Sequence, residues 1–381
     1  MEVNDSMKLG EIFTLQRGFD ITKNEQSEGI YPVVSSSGIN SYHNEYQVKG
    51  PGVVIGRKGT LGTAFYLEGD YWPHDTSLWI KDFKGNDPKF LYYFLKALPL
   101  EKLDSGSANP TLNRNFVHLI ESAIPKVGEQ VRIAKVLTSL DKKIELNKLI
   151  NAELEAMAKL IYDYWFVQFD FPDANGKPYK SSGGKMVYNE TLKREIPDGW
   201  GDTSLGDVCE LYQPQTISEK EMSDHGEYLV YGANGIIGKY NNFNHEDCVV
   251  TITCRGNTCG TINTTRPFCW ITGNAMVVNP KYDYLCIDYL VNSLRWANVS
   301  TVITGSAQPQ ITRTNLAPLK LVSPDLNMVN KYLKIVESGH SKRLKTQEEN
   351  DQLNGLRDWL LPMLMNGQVT VNDASQSDGR E

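Results

Sequence analysis

The chain has 381 residues, 40% of them apolar and 22% charged, enough for two or three cores and too apolar for a disordered polymer. Lys and Arg number 39 against 46 Asp and Glu, a net charge of −7, which excludes a broadly basic nucleic-acid coat but leaves room for a local basic face. No run approaches the roughly 18 apolar residues of a membrane span. The N-terminus has no basic segment leading into an apolar one, so no secretory signal is expected and the chain reads as soluble and cytoplasmic.

In chain order, residues 1–126 form the first expected domain. It is rich in Gly, Asn, Thr, Tyr and Val, with short apolar runs bounded by turn residues. Val53-Val54-Ile55 reads as a strand entering a loop, and Phe90–Leu98 as a single helix on a sheet. Residues 127–167 form an unbroken helical segment with neither Pro nor Gly between Glu129 and Phe166. Its expected seam is Ile133, Leu137, Leu140, Ile144, Asn147, Asn151, Leu154, Ala158, Ile161 and Trp165. Steps of four and three alternate there, the spacing of a coiled coil. At 1.5 Å per residue the rod is about 55 Å long. Residues 168–200 hold Gly176, Pro178, Ser181-Ser182-Gly183-Gly184 and Pro197-Asp198-Gly199-Trp200, the turn chemistry of a connecting arm.

The segment 201–325 repeats the first domain. Leu9-Gly10-Glu11-Ile12 returns as Leu205-Gly206-Asp207-Val208, Tyr31 to Ile39 as Tyr228 to Ile236, and Gly106 to Pro110 as Gly305 to Pro309. Val53–Thr63 answers to Val249–Thr261 with two residues inserted, which places Arg57 opposite Arg255. Ile287–Leu294 is the second short helix. Residues 326–367 form a second long helix with expected seam residues Val329, Leu333, Val336, Leu344, Leu353, Leu356 and Leu360. The two helices are expected to pair, with Asn147, Asn151 and Asn350 fixing their register. Residues 368–381 read as a flexible polar tail. The expected fold is α+β: two β-rich domains joined by two long antiparallel coiled-coil helices, an internal duplication with pseudo-twofold symmetry.

Catalytic signatures are missing. There is no Walker A loop, no G-x-G-x-x-G opening a helix, no H-E-x-x-H, no G-x-S-x-G and no Asn-Pro-Pro-aromatic tetrapeptide. The six histidines do not recur in matched positions, whereas a duplicated enzyme should duplicate its catalytic groups. All six cysteines (Cys209, Cys248, Cys254, Cys259, Cys269 and Cys286) lie in the second half, without paired C-x2-C spacing. They read as reduced core residues, and no metal is expected.

What the copies share is polar loops in equivalent places. The first offers Ser36 and Ser37 against Asn234. The second offers Arg57, Lys58 and Thr60 against Arg255 and Asn257. The third offers Asn109, Thr111, Asn113 and Arg114 against Gln308, Gln310, Thr312 and Arg313. Each alone reads as an ordinary β-turn. As a repeated set with changed letters they suit two readers of different DNA sequences, because Arg can take guanine and Asn or Gln adenine while small residues hold phosphates. A repeat-built adhesion protein would account for the Gly- and Tyr-rich domains but not for the seams.

Several longer passages carry a resemblance. They are Gln130-Val131-Arg132-Ile133-Ala134 onward to Lys142, Tyr164 to Pro172, Lys180 to Met186, Arg194 to Trp200, and Leu356 to Val369. Through them the chain resembles, nearly end to end, the specificity subunit of Type I restriction–modification systems. The resemblance implies that each β-rich domain is a target recognition domain reading one half of a bipartite, asymmetric site in double-stranded DNA. It implies that the helices hold the two domains apart, that two methylation subunits bind around them, and that restriction subunits complete the assembly. S-adenosylmethionine, ATP and Mg2+ would then sit on the partners, with no cofactor and no catalysis in this chain. The low basicity departs from expectation: 12 Lys and Arg against 15 Asp and Glu in residues 1–125, and 8 against 12 in 201–325. A related stand-alone methyltransferase–nuclease system using the same architecture is the alternative.

Overall fold

The structure, a computed structural model, describes residues 6–103, 110–223, 225–305 and 307–371. The chain divides into two compact units, residues 1–146 with 349–381, and residues 147–348.

In the first unit Gly52–Gly56, whose five residues are all buried, forms the middle of a four-stranded antiparallel sheet. The order is Thr14–Arg17, Ser77–Asp82, Gly52–Gly56, Ala64–Leu67. A three-stranded sheet runs Gly38–His43, Tyr31–Ser35, Trp72–Pro73, its last pair parallel. The helix Pro88–Ala97 begins where Asp87 accepts a hydrogen bond from the Phe90 amide, with proline suited to the first turn. Its face of Phe90, Leu91, Phe94 and Leu95 packs on Val53, Ile55, Leu78 and Ile80. Burial of each such side chain contributes about 1.5–3 kcal/mol.

The second unit repeats this plan. Its four-stranded sheet is Cys209–Tyr212, Ala275–Pro280, Val250–Thr253, Ile262–Thr264, and its three-stranded sheet Gly235–Tyr240, Tyr228–Gly232, Cys269–Ile271, again with the last pair parallel. Ile287–Ala297 is its short helix. The duplication read from the sequence is therefore a duplication of topology. One glycine shows why its motif recurs: a Cβ on Gly10 would meet His118 Cβ at 3.2 Å, and on Gly206 would meet Ala317 Cβ at 2.9 Å. Both copies need a bare backbone where the short helices Leu9–Ile12 and Leu205–Val208 are crossed.

The long helices are Val127–Tyr162, extended by a π-helical turn at Asp163–Val167, and Leu326–Met365. Within the first unit Arg357 bonds Asp141 at 3.0 Å and the Asn350 amide donates to the Ile144 carbonyl at 3.3 Å. Within the second, Thr346 Oγ1 donates to Asn151 Oδ1 at 2.5 Å and Tyr332 OH to the Ala158 carbonyl at 3.0 Å. In each unit the partner number falls as the first rises, so the helical stretches run antiparallel.

On the first helix Ile133, Leu137, Ile144, Asn147, Ala158 and Trp165 are buried, and Leu140, Asn151, Leu154 and Ile161 half-buried. On the second helix the expected seam needs correction. The inward positions are Val329, Tyr332, Val336, Thr346, Asn350 and Leu364, with Arg343, Leu353, Arg357 and Leu360 half-buried between them. Leu356 is 44% exposed, while Leu333 and Leu344 are half-buried beside the inward Tyr332 and Arg343. The leucines misled because this seam spends several inward positions on aromatic and polar side chains.

Residues 168–200 are a folded part of the second unit. Phe171 stacks on Tyr179 and Trp200, with centroids 4.7 and 5.0 Å apart, and Asp170 accepts from the Ser181 amide and hydroxyl. Those bonds, led by the hydroxyl, hold the Asp170 carboxyl below its ordinary pKa. Residues 368–371, read with the tail, return to the first unit: Val371 donates to Glu129 Oε1, and Val369 and Val371 pack against the core. Residues 372–381 lie outside the described residues. Among the described residues no helix is long and apolar enough to cross a membrane.

Candidate nucleic-acid interface

The candidate loops, distant in sequence, meet at one end of the four-stranded sheet in each unit. In the first, Lys58 bridges Thr111, the Gly59 amide points to the Pro110 carbonyl, and the Leu112 amide donates to Arg57 O. In the second, Arg255 bridges Gln310, the Gly256 amide points to the Pro309 carbonyl, and the Ile311 amide donates to Cys254 O. The remaining loop joins from the three-stranded sheet. The Ser36 amide lies 3.4 Å from Thr76 Oγ1, and Thr253 Oγ1 donates to Ala233 O at 2.5 Å with Asn234 Oδ1 at 3.3 Å.

These shared bonds correct the sequence pairing of the second loop. Arg57 N donates to Thr76 O and Cys254 N to Asn274 O, while Gly62 N donates to Gly56 O and Gly260 N to Thr253 O. Lys58 is therefore the counterpart of Arg255, and Arg57 that of the fully buried Cys254. The shared arginines of Arg57-Lys58 and Arg255-Gly256 straddle an insertion whose position only the hydrogen bonds reveal. Each unit keeps one exposed cation at the bridge.

Of the other candidates, Ser37, Thr60, Asn257, Gln308 and Arg313 are exposed, and Asn109 lies outside the described residues. Asn113 and Thr312 carry a second duty: each caps a short helix, accepting from the Asn115 and Asn315 amides respectively. Ile39 and Ile236, absent from the candidate set, stand about half exposed at equivalent places after Gly38 and Gly235. An apolar side chain there can meet a thymine methyl group.

A polar cleft in the first unit is lined by Arg17, Arg57, Thr111, Asn113 and Arg114. Arg17 Nη2 bonds Asp75 Oδ2 at 2.6 Å, and Arg57 Nη1 donates to the Asp75 carbonyl at 3.3 Å. Burial works to raise the Asp75 pKa. The hydrogen bond from Arg17 and the charges of His74, Arg17 and Lys58 outweigh it, so the carboxyl lies below its ordinary range. Partial burial and the neighbouring Arg17 lower Arg57. Asp20, His74 and Asp75 could together approach a cation, but Arg17 already occupies Asp75. In the second unit both ring nitrogens of His245 have partners, Tyr212 OH and Asn244 Oδ1, and the six cysteines are unpaired thiols. Burial pushes the thiols of Cys209 and Cys269 up to about 12 and about 11, the behaviour of core residues.

A duplicated α+β unit that keeps its loop skeleton while exchanging its loop side chains is the architecture of a paired recognition module. The family model described as Type I restriction modification DNA specificity domain matches residues 1–156 and again 197–354. The chain is 23% identical over 316 residues to the Type I restriction enzyme MjaIX specificity subunit of Methanocaldococcus jannaschii, covering 75% of this chain and 70% of that protein. It is 22% identical over 335 residues to the HindI specificity subunit of Haemophilus influenzae, covering 68% and 71%. The crystal structure of a Type I restriction–modification S subunit from M. genitalium superposes with a TM-score of 0.63 at 17% identity, over 95% of this chain and 96% of that one, which is a likeness of fold. The chain belongs to the Type I restriction–modification specificity family.

Proposed function

We propose that this chain is the non-catalytic subunit that gives a Type I restriction–modification complex its DNA sequence. Each unit reads one half of a bipartite, asymmetric site in double-stranded DNA, and the long helices hold the halves apart. The observation that carries this reading is the pair of equivalent loop corners. One skeleton of backbone hydrogen bonds presents Lys58, Thr111 and Arg114 in one unit and Arg255, Gln310 and Arg313 in the other. A constant frame with changed letters is what two readers of different sequences require, since phosphate contacts position and side-chain contacts to base edges specify.

The partners in this reading are two methylation subunits, which bring S-adenosylmethionine, and restriction subunits, which bring ATP and Mg2+ chemistry. An exposed apolar row on the first long helix supports the docking of the methylation subunits. Leu149, Met157, Leu160 and Tyr164 face away from the seam and are 39–69% exposed, at the spacing that a partner's helices could continue into a bundle. With partners clamping the duplex, an acidic chain need supply only readout and some phosphate contacts. The test is co-purification with a methylation partner followed by sequencing of methylated DNA. The expected result is one motif of two separated blocks that disappears when this chain is deleted.

A further inference from the structure

The sheet register places one more pair of side chains at equivalent corners. Leu15 lies opposite Ile80 and Leu211 opposite Val278, so Arg17 and Gln213 each follow by two residues along matching edge strands. The neighbouring turn also matches. His74 N donates to Val34 O and Ser77 N to His74 O, as Thr272 N does to Tyr231 O and Ala275 N to Thr272 O. Asp75 and Gly273 are thereby equivalent, and each is bonded by the side chain across from it: Arg17 Nη2 to Asp75 Oδ2 at 2.6 Å, Gln213 Nε2 to Gly273 O at 3.2 Å. Sequence comparison misses the pair because none of its four letters is shared.

We propose that Arg17 and Gln213 are the matched base-reading side chains of the two units, Arg17 for a guanine in the first half-site and Gln213 for an adenine in the second. This rests on the reading of the chain as a DNA-specificity subunit. The Arg17 side chain is 54% exposed beside an Asp75 that is only 15% exposed. It is thus held by a sheltered carboxylate while its remaining N–H donors stay open to the O6 and N7 acceptors of guanine. Gln213 directs its amide nitrogen to Gly273 O and to the Cys254 thiol, so reading adenine exchanges the Cys254 contact for one to the base and uses the open Oε1. That N–H and Oε1 are the donor and acceptor that match adenine N7 and N6. Both are exposed groups, Arg17 at the end of its edge strand and Gln213 just past the end of its own, so their replacement removes no apolar core contact.

The experiment uses the full chain co-expressed with its methylation partner, with methylated motifs sequenced for the wild type, Arg17→Gln, Arg17→Lys and Gln213→Arg, and thermal melting as the folding control. Arg17→Gln and Arg17→Lys are expected to weaken the preference for guanine at one position of the first half-site by roughly tenfold to a hundredfold, since lysine keeps the charge but loses the fork. Gln213→Arg is expected to replace adenine at one position of the second half-site and leave the first unchanged. A folded complex that keeps every letter in all three variants overturns the assignment while leaving the bipartite reading standing. So does an Arg17→Gln complex with full selectivity in the first half-site, which would mark a phosphate contact. A wild-type complex whose methylation does not depend on this chain overturns both.

Discussion

At the scale of single residues, the loop corners mix reading with folding, and the two can be separated. Asn113 and Thr312 cap helices, so Asn113→Ala and Thr312→Ala should each cost about 1 kcal/mol of stability, measured by denaturant unfolding, whatever they do to the methylated motif. Lys58→Ala and Arg255→Ala remove exposed cations and should weaken binding to all sequences with a shallower salt dependence; a changed motif with an unchanged salt slope would show that they read bases. His118 gives a pH signature. Its Nε2 accepts the Leu15 amide at 2.9 Å, and burial, with the charges of Arg114 and Lys84, lowers its pKa from 6.5. The unfolded chain therefore binds the proton more readily, so the stabilisation is complete above 6.5 and fades as pH falls through the lowered folded value. The stability gap between wild type and His118→Ala should shrink from about pH 7.5 to about pH 5. A gap that stays constant across that range would contradict this role.

At the scale of elements, the first long helix is fastened to its unit by a buried amide. Gln130 accepts from the Asp87 amide and donates to Asn86 Oδ1 and the Pro125 carbonyl. Gln130→Leu strands those groups and should destabilise the chain by about 1–3 kcal/mol, read from the unfolding midpoint. On the outward face, Leu160→Glu should abolish co-purification with the methylation partner and leave the melting temperature within a degree or so of wild type, because an exposed leucine contributes little to the core. How much of this was legible in the sequence varied with the element. The first seam could be read because Ile133, Leu137 and Ile144 advertise it. The second could be read only in part: Val336 and Asn350 were legible, but Tyr332 and Thr346 hold inward positions while Leu356 faces out. Likewise the three loops could be found as repeats, but the true partner of Arg255 could not: register across an insertion is set by hydrogen bonds, not letters. Arg17 and Gln213 left no trace at all, because a base reader is the residue a duplication is free to change.

At the scale of the whole molecule, two units are proposed to carry two separable halves of one specificity. If the long helices set the spacing, a heptad added to both lengthens each by about 10 Å, or roughly three base pairs at 3.4 Å each. The unread gap should grow accordingly with both half-sites intact, and a change in the bases read would contradict the spacer role. Whether the two units read separately is decided by the methylated motif of the complex carrying Gln310→Ala, set beside that of the wild type. The expected result is two blocks separated by unread bases, with the second block relaxed at one position and the first unchanged. A single continuous motif, or a change in both blocks from this one substitution in the second unit, would contradict it.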